Sequence, residues 1–259
     1  MSEVRSERKG QALWLTIDRQ DRRNALNEAV LDGLRAGVLS VADTDGIRAV
    51  VITGAGEKVF CAGGDLKPDA DGDPFSINSA ERDHPVVKLF RAVIDSPVPV
   101  IARVNGHALA GGFGLVCACD FAIVADHALL GAPEARIGLF PMMILPFMLR
   151  TIPRRTLLEL CVTGEPISAA EALAHGMVNH VVPLAALDEK VNKLIAAIAA
   201  SSPTAIGIGR RALATIDGLS LDAGLEYAQR VLPLLAQTPD AHEGFRAFNE
   251  KRPPVWPVR

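Results

Sequence analysis

Two segments of the chain place adjacent glycines directly after predicted buried strands. Residues 61–65 read CAGGD, and residues 105–112 read NGHALAGG. Glycine carries no side chain, so the neighbouring main-chain N–H groups are sterically open. The second segment runs into a predicted helix, whose N-terminus adds positive potential. Aimed at one point, the N–H groups of Gly64 and Gly111 would form an oxyanion hole. Glycine alone also fits two ordinary tight turns.

A single carboxylate, Glu134, lies between an apolar predicted strand (residues 128–132) and an apolar run (residues 137–149). Burial raises the pKa of a carboxyl group and makes it suitable for proton transfer near neutral pH. Two structural alternatives stay open, namely a salt bridge to Arg136 or Arg150 and a cap on the following turn.

Several other kinds of site are excluded by missing motifs. The sequence contains no GxxxxGK[ST], GxSxG or HExxH motif. The four cysteines form no CxxC pair, and we expect them to be buried free thiols. The six histidines provide no set of metal ligands. We therefore expect neither a metal ion nor a permanently bound cofactor.

The elements that must position these residues alternate between strands and helices. Predicted strands cover residues 12–18, 47–53, 98–104, 121–125 and 128–131, and predicted helices cover residues 27–41, 81–95 and 112–119. Residues 69–83 are acidic and rich in Ser, Gly and Pro, which predicts a mobile loop. Helices are predicted from Pro153, from Ser168 with a capping box to Glu171, and over residues 187–200, 203–216, 220–237 and 239–251. This order predicts an α/β core followed by a helical segment.

Bulk composition is that of an ordinary globular protein. The 259 residues are 49% hydrophobic and 22% charged, with a formal net charge of −3. That charge gives no reason to expect a nucleic-acid partner or an anionic membrane. The N-terminal ten residues lack the apolar stretch of a signal peptide, and the longest apolar region is interrupted by polar residues, glycines and prolines. We expect a cytoplasmic protein that does not span a membrane.

The ordered set of motifs resembles the crotonase family, which includes the enoyl-CoA hydratases and enoyl-CoA isomerases. The resemblance covers nearly the whole chain, although no single motif is decisive. The matching segments are RRNALN (22–27), AVVITGAGEKVFCAGGDL (49–66), PVPVIARVNGHALAGGFGL (97–115), CDFAIVAD (119–126), GAPEARIGLFP (131–141), CVTGEPISAAEALAHGMVNHVVP (161–183) and AHEGFRAFNEKRPPVW (241–256).

The resemblance implies a fold and an assembly. It implies a spiral of ββα units over residues 1–200, and a C-terminal helical region over residues 201–259 that forms homotrimers, often paired into homohexamers. The substrate would be an acyl-CoA, with coenzyme A entering as part of the substrate.

Residue roles are also implied by the resemblance. The N–H groups of Gly64 and Gly111 match the pair that holds the thioester oxygen, and Glu134 matches a catalytic glutamate. Asp65 would help to fix the first loop. The positions that match coenzyme A contacts are Arg22, Arg23, Ala25 and Ala62 and, from a neighbouring subunit, Lys251 together with Phe248.

The chain departs from the hydratase pattern at Gly114, where hydratases of the family carry a second glutamate. Addition of water needs one group to hold and deprotonate the water while a proton reaches the α-carbon, whereas migration of a double bond needs only one base. The sequence therefore favours an isomerase-like enzyme with a single glutamate. A replacement base could come from the acidic loop (Asp69, Asp71, Asp73, Glu81, Asp83) or from His84.

Gly114 has a second interpretation, as a small residue that makes room for a bulky acyl group. Met142, Met143, Phe147 and Met148 would then line the acyl pocket, or belong to an ordinary core. Two alternatives to the isomerase-like enzyme stay open: a true hydratase for a bulky or branched acyl group, and a catalytically weak acyl-CoA-binding module. Acyl chain length and pathway are not encoded in any motif.

Overall fold

The chain folds into two β-sheets and a set of surrounding helices. The structure is a computed structural model that describes residues 3–66 and 83–256. Its strands are β1 (Val4–Lys9), β2 (Ala12–Ile17), β3 (Ala49–Gly54), β4 (Val59–Cys61), β5 (Val100–Val104), β6 (His107–Leu109), β7 (Phe121–Ala125), β8 (Leu129–Gly131), β9 (Ile167–Ser168) and β10 (His180–Val182). Its α-helices are α1 (Glu28–Ser40), α2 (Pro85–Asp95), α3 (Gly111–Ala118), α4 (Leu145–Thr151), α5 (Arg154–Thr163), α6 (Ala169–Ala174), α7 (Leu187–Ala199), α8 (Pro203–Ile216), α9 (Leu221–Ala236) and α10 (Pro239–Glu250).

Successive strands alternate between the two sheets. The larger sheet has the order β1-β2-β3-β5-β7-β10, and the smaller has the order β4-β6-β8-β9. Each turn of the chain thus adds one strand to each sheet, as in β3–β4, β5–β6 and β7–β8. All neighbours are parallel except the pairs β1–β2 and β8–β9. This is the spiral of ββα units that the resemblance implies, so the expected fold class is confirmed.

The larger sheet is buried on both faces, which explains the continuous apolar runs of its strands. Every residue of β3 is buried. Because side chains alternate along a strand, Val50 and Ile52 join the main core, while Ala49 and Val51 join a second cluster under α7. Helices therefore cover both faces and hold the strand ends in fixed positions.

The helix starts match the capping residues that the sequence provides. Asn27 accepts from the N–H of Val30 at the start of α1. Ser168 and Glu171 form the predicted capping box at α6. Pro203 occupies the first turn of α8, where its missing N–H costs no helical hydrogen bond.

Five strands (β1, β4, β6, β9 and β10) and one helix lie outside the sequence predictions. The charged segment Val4–Lys9 forms the edge strand β1, which pairs with β2, because an edge strand can expose polar side chains. β4, β6, β9 and β10 are only two or three residues long, so they carry no usable periodicity. Helix α4 lies within the apolar run at residues 137–149, where no helix bounds were predicted.

The C-terminal part beyond residue 200 consists of α8, α9 and α10 among the described residues. Among all the residues that the structure describes, no single helix is long and apolar enough to cross a membrane. One pair, Leu184–Ala199 with Pro203–Ile216, reaches that length and composition only in combination and is bent by 102°. The predicted loop at residues 69–83 lies, except for Asp83, outside the described residues.

Candidate active site

Three predicted site residues lie just beyond neighbouring strands of the smaller sheet. β4, β6 and β8 are adjacent and parallel. Gly64 lies three residues beyond the end of β4, Gly111 two beyond β6, and Glu134 three beyond β8. The carboxyl ends of parallel strands meet at one edge of a sheet, so the fold brings these three residues to one place.

The main-chain N–H of Gly64 is turned away from the neighbouring segment. Leu26 donates its N–H to the carbonyl of Gly63 (2.8 Å), and Asp65 donates its N–H to the carbonyl of Leu26 (2.9 Å). In this parallel bridge the hydrogen-bonding groups of the intervening Gly64 point to the opposite side. Gly64 is exposed, and its N–H makes no hydrogen bond to a described residue.

The Gly111 N–H begins helix α3 and has no main-chain acceptor among the described residues. The preceding residue, Ala110, is held at φ 49° and ψ −128°, an unusual conformation for a residue with a side chain. Its own N–H donates to the carbonyl of Gly131 (2.9 Å), which ties this turn to the strand that leads to Glu134. The strain at Ala110 sets the direction of the next N–H group.

The two glycine loops touch each other at Gly63. This residue has φ +99°, and a Cβ built on it would lie 2.6 Å from Cβ of Ala110 and 3.2 Å from the main-chain N of Gly111. A Cβ built on Gly111 would lie 3.7 Å from the main-chain N of Gly64. The N–H groups of Gly64 and Gly111 are therefore next to each other, both free of described acceptors, as an oxyanion hole requires.

Glu134 lies in a short 3₁₀ turn, Pro133–Ile137, packed against α5. Burial raises the pKa of its carboxyl group, opposed in part by a hydrogen bond from its own main-chain N–H. Oε2 is buried and has no hydrogen-bond partner among the residues that the structure describes. A buried, unpartnered carboxylate oxygen is costly for stability, so it marks a group kept available for a ligand.

Neither structural alternative for Glu134 accounts for its carboxylate. Arg136 pairs with Glu165 (3.5 Å), and Arg150 pairs with Asp217 (2.8 Å). The turn that contains Glu134 has no side-chain cap. The nearby Cys161 is buried, and burial with the adjacent carboxylate raises its thiol pKa to about 11, so Cys161 is not a thiolate at neutral pH.

The space beside Gly114 is filled. A Cβ built on Gly114 would lie 2.1 Å from Cγ2 and 2.4 Å from Cβ of Ile144. Phe147, on α4, packs against Phe90 of α2, with the two ring centroids 4.7 Å apart. Met142 is 65% exposed and Met143 is 36% exposed, whereas Met148 is fully buried. Met148 is thus part of the core, and the acyl-pocket role of Gly114, Met142 and Phe147 stays a prediction.

Comparison with known proteins agrees with this arrangement. A family model described as enoyl-CoA hydratase/isomerase matches residues 7–259. The chain belongs to the enoyl-CoA hydratase/isomerase family. It is 36% identical to the human mitochondrial enoyl-CoA hydratase domain-containing protein 3 over 93% of this chain and 79% of that protein. It is also 36% identical to carnitinyl-CoA dehydratase of Salmonella arizonae, over 99% of both chains.

Solved structures of enoyl-CoA hydratase/isomerase family members share the whole fold. The structure of human enoyl coenzyme A hydratase domain-containing protein 3 matches with a TM-score of 0.89 and 31% identity over 98% of this chain and 100% of that one. An enoyl-CoA hydratase from Mycobacterium tuberculosis H37Rv matches with a TM-score of 0.89 and 31% identity over 99% of both. Two glycine loops and a glutamate at one sheet edge are therefore held by a scaffold common to this family.

Two of the residues predicted to bind coenzyme A line one pocket of about 350 Å³. Arg23 and Ala62 meet there, and the N–H of Ala62 donates to the carbonyl of Arg23 (3.2 Å). Arg22 is exposed beside it and Ala25 is buried. The full lining is Arg23, Lys58, Val59, Ala62, His107, Leu109 and His127. Lys58, His107 and His127 were not predicted to line this pocket, because they lie in or next to different strands and only the fold brings them together.

Lys251 ends α10 in a left-handed conformation (φ 52°) and is exposed, with Phe248 exposed on the same helix. Asp65, in contrast, is engaged within the chain, since Arg19 donates from Nη2 to its Oδ2 (2.9 Å). Arg19 also donates from Nη1 to the carbonyl of Ala25 (2.7 Å). Asp65 and Arg19 thus tie the Gly64 loop to the turn that carries Arg22 and Arg23.

Two buried asparagines that position the loops were also missed. Asn105 accepts from the N–H of Gly54 (3.0 Å) and donates to the carbonyl of Gly56 (2.8 Å). Asn24, with φ 54°, donates to the carbonyls of Ala55 and Val59. The pair Asn105-Gly106 signalled a turn, but its side-chain contacts come from residues about fifty positions away in the chain.

The proposed replacement bases are largely untested. Asp69, Asp71, Asp73 and Glu81 lie outside the described residues. Asp83 pairs with Arg91 (2.8 Å), and His84 caps α2 by accepting from the N–H of Val86 (3.2 Å). Among the described residues, no group of three or more His, Cys, Asp or Glu side chains is placed to hold a metal ion.

Proposed function

We propose that this protein acts on an acyl-CoA thioester, stabilises its enolate with the N–H groups of Gly64 and Gly111, and moves a proton with Glu134. The observation that carries the proposal is the meeting of two open N–H groups and a carboxylate with an unpartnered oxygen at the ends of three adjacent parallel strands. The membership of the family supports a coenzyme A thioester as the substrate class.

Migration of a double bond is the reaction that this set of groups can perform alone. From a 3-enoyl thioester, the Glu134 carboxylate removes a proton from C2, and the released electron pair forms a dienolate. The two N–H groups hold the negative thioester oxygen. Glu134 then delivers the same proton to C4, so that the double bond lies between C2 and C3. No atom is gained or lost, and one base suffices.

The raised pKa of Glu134 suits this exchange, because a carboxyl group must both accept and return the proton. A lone glutamate of ordinary pKa would take the proton from carbon less readily.

A second candidate is reversible hydration of a bulky or branched enoyl-CoA. The similarity to a protein named carnitinyl-CoA dehydratase, over the full length of both chains, favours it. This reaction would need a second group to hold the water, in place of the carboxylate that Gly114 lacks. A binding module without catalysis is the less suitable alternative, since it has no use for the carboxylate of Glu134.

We further propose that the nucleotide of coenzyme A binds at the pocket of Arg23 and Ala62, with Arg22 and Ala25 beside it. Lys58 and Arg23 give the pocket two cationic side chains suited to phosphate. Lys251 would reach the coenzyme from a neighbouring subunit of a homotrimer or homohexamer.

The test is to assay wild type and Glu134→Gln with 3-enoyl-CoA and trans-2-enoyl-CoA of matched chain length. We expect wild type to isomerise and Glu134→Gln to lose about 10²- to 10⁴-fold in kcat, the usual worth of a positioned acid–base group. Glu165→Gln is the matched control, because Glu165 is an exposed glutamate paired with Arg136. Full isomerase activity in Glu134→Gln would overturn the proposal, and rapid hydration by wild type would favour the second candidate.

A further inference from the structure

The wall of the site beyond the oxyanion hole is formed by the first turn of α3. Gly114 lies three residues after Gly111, and its N–H donates to the carbonyl of Ala110 (3.0 Å). Residues three apart in a helix lie on the same side, one turn along. An acyl chain whose thioester oxygen binds at Gly111 therefore meets the turn that contains Gly114 next.

Ile144, the residue before α4, closes this wall. Its side chain is 4% exposed and belongs to the main core with Phe113, Leu115 and Met148. The start of α4 packs on α3 so closely that a side chain at position 114 would collide with both Cγ2 and Cβ of Ile144. The contact thus fixes Gly114 as glycine and leaves only hydrocarbon at this point.

The loop that carries Ile144 is attached to the proton-transfer group. Leu139 donates its N–H to the carbonyl of Glu134 (3.0 Å), and Leu145 donates its N–H to the carbonyl of Pro141 (2.9 Å). Ile144 and Glu134 are therefore the two ends of one short segment, residues 134–144, which carries the base at one end and the apolar plug at the other.

We propose that Ile144 determines whether the 2-enoyl product is hydrated, by excluding water and any polar side chain from the wall beside Gly114. This inference rests on the proposed function. Hydration of the 2-enoyl thioester adds the hydroxyl group of water to C3 while a base takes the other proton of that water, and the resulting enolate then receives a proton at C2. A water molecule needs two to four polar partners to be held, and an isoleucine pressed against a glycine provides none. The reaction therefore ends at the 2-enoyl thioester that forms when Glu134 returns the proton to C4.

The first test replaces Ile144 with threonine, a β-branched residue that brings a hydroxyl group to the position beside Gly114. Ile144→Thr should raise the ratio of hydrated to isomerised product by about tenfold or more, since even part of the worth of a positioned general base is of that size. Ile152→Thr is the matched control, because Ile152 is an equally buried isoleucine at the other end of α4. The Ile152→Thr variant should lose a similar amount of stability and keep the wild-type ratio of hydrated to isomerised product.

The second test uses the collision itself. Gly114→Glu alone should fold less stably and gain no hydration, because Ile144 occupies the space. Gly114→Glu combined with Ile144→Gly removes both colliding atoms, Cβ and Cγ2. The double variant should regain stability relative to Gly114→Glu and raise hydration by about 10²-fold, a value typical of one general base. Such non-additivity is expected only for residues in direct contact.

Two outcomes would overturn the inference. One is rapid hydration by Gly114→Glu alone at wild-type stability. The other is an unchanged product ratio in both Ile144→Thr and the double variant while Glu134→Gln still abolishes isomerisation; the proposed function would then stand without this role for Ile144. Loss of the proposed function would show differently, as wild-type isomerisation that does not depend on Glu134.

Discussion

At the scale of single residues, the site depends on a carboxylate that is costly to keep. Glu134 has a buried oxygen with no hydrogen-bond partner in the described part of the chain, and its pKa is raised mainly by burial. A raised folded-state pKa means that the folded protein binds the proton more tightly than the unfolded chain does. The charged, buried carboxylate therefore lowers the free energy of unfolding. This destabilisation is absent below the ordinary pKa of a glutamate, grows as pH rises through the folded-state pKa, and is fully present above it.

Glu134→Gln should therefore stabilise the protein at neutral pH and lose this advantage in acid. An amide carries no charge to desolvate, and relief of an unsatisfied buried group is worth about 1 kcal/mol. Thermal unfolding of both proteins at neutral and acidic pH measures the effect as a difference in Tm of a few degrees, about 2–4 °C per kcal/mol. A Tm difference that widened as pH fell would contradict it.

The activity of wild type should fall at acidic pH for the same reason. The first step needs the Glu134 carboxylate, so kcat/KM should decline below a pKa higher than that of an ordinary glutamate. A pH–rate profile for isomerisation determines this value. An acid limb at or below the usual glutamate pKa would mean that another group limits the reaction.

The charged residues at the nucleotide pocket are expected to act on binding alone. Arg23→Ala or Lys58→Ala should raise KM by about ten- to a hundredfold, the worth of one charge-assisted hydrogen bond, with kcat nearly unchanged. Lys193→Ala, on the surface helix α7, is the control for loss of a positive charge. Equal KM values for the three variants would exclude a phosphate contact.

At the scale of elements, the proposed oxyanion hole is made by two loops that contact each other. Gly63 must adopt φ +99° and let Ala110 approach, so the two loops are positioned by one contact. Asn105, Arg19 and Asp65 add hydrogen bonds that tie each loop to its neighbours. The sequence marked both loops by their glycines, but the contact that aligns them joins positions that are almost fifty residues apart.

Gly63→Ala should consequently impair catalysis more than folding. The new methyl group would push the two loops apart, and loss of one oxyanion donor costs about 10²- to 10³-fold in kcat. Gly176→Ala is a matched control, because Gly176 also has a positive φ (+72°) but nothing within 4 Å of its Cβ position. Both variants should lose similar backbone stability, and only Gly63→Ala should lose this much activity.

At the scale of the whole molecule, the C-terminal helices expose large apolar side chains. Leu221, Leu225 and Leu232 of α9 are 80%, 60% and 66% exposed and fall on one stripe of the helix. Further exposed apolar residues lie on the neighbouring helices α8 and α10, namely Leu213, Phe245 and Phe248. Exposed large apolar side chains that are concentrated on neighbouring helices are typical of an oligomer interface.

Leu225→Asp together with Leu232→Asp should therefore dissociate the proposed homotrimer or homohexamer. Burial of two aspartates without partners would cost several kcal/mol at each interface. Sedimentation analysis measures the mass, and Leu39→Asp on α1 serves as a control for an exposed leucine elsewhere. A wild-type chain that sediments as a monomer would exclude this role for α9.

The sequence by itself determined the local structure and the chemistry of the site. Alternating apolar runs, glycine loops and helix caps such as Ser168 act within a few residues, so the main strands, the helices and the family could be predicted from them. Glu134 was found as a carboxylate in an apolar context. Edge strand β1 and the short strands β4, β6, β9 and β10 were not predicted, because pairing with a neighbouring strand forms them and no local pattern marks them.

Only the tertiary structure decided how distant segments meet. It placed the ends of β4, β6 and β8 side by side, aligned the N–H groups of Gly64 and Gly111 through Gly63 and Ala110, and left Oε2 of Glu134 without a partner. It also filled the space beside Gly114 with Ile144, thirty positions along the chain. Close packing is a property of surfaces brought together by the fold, and residue types and spacing alone do not specify it.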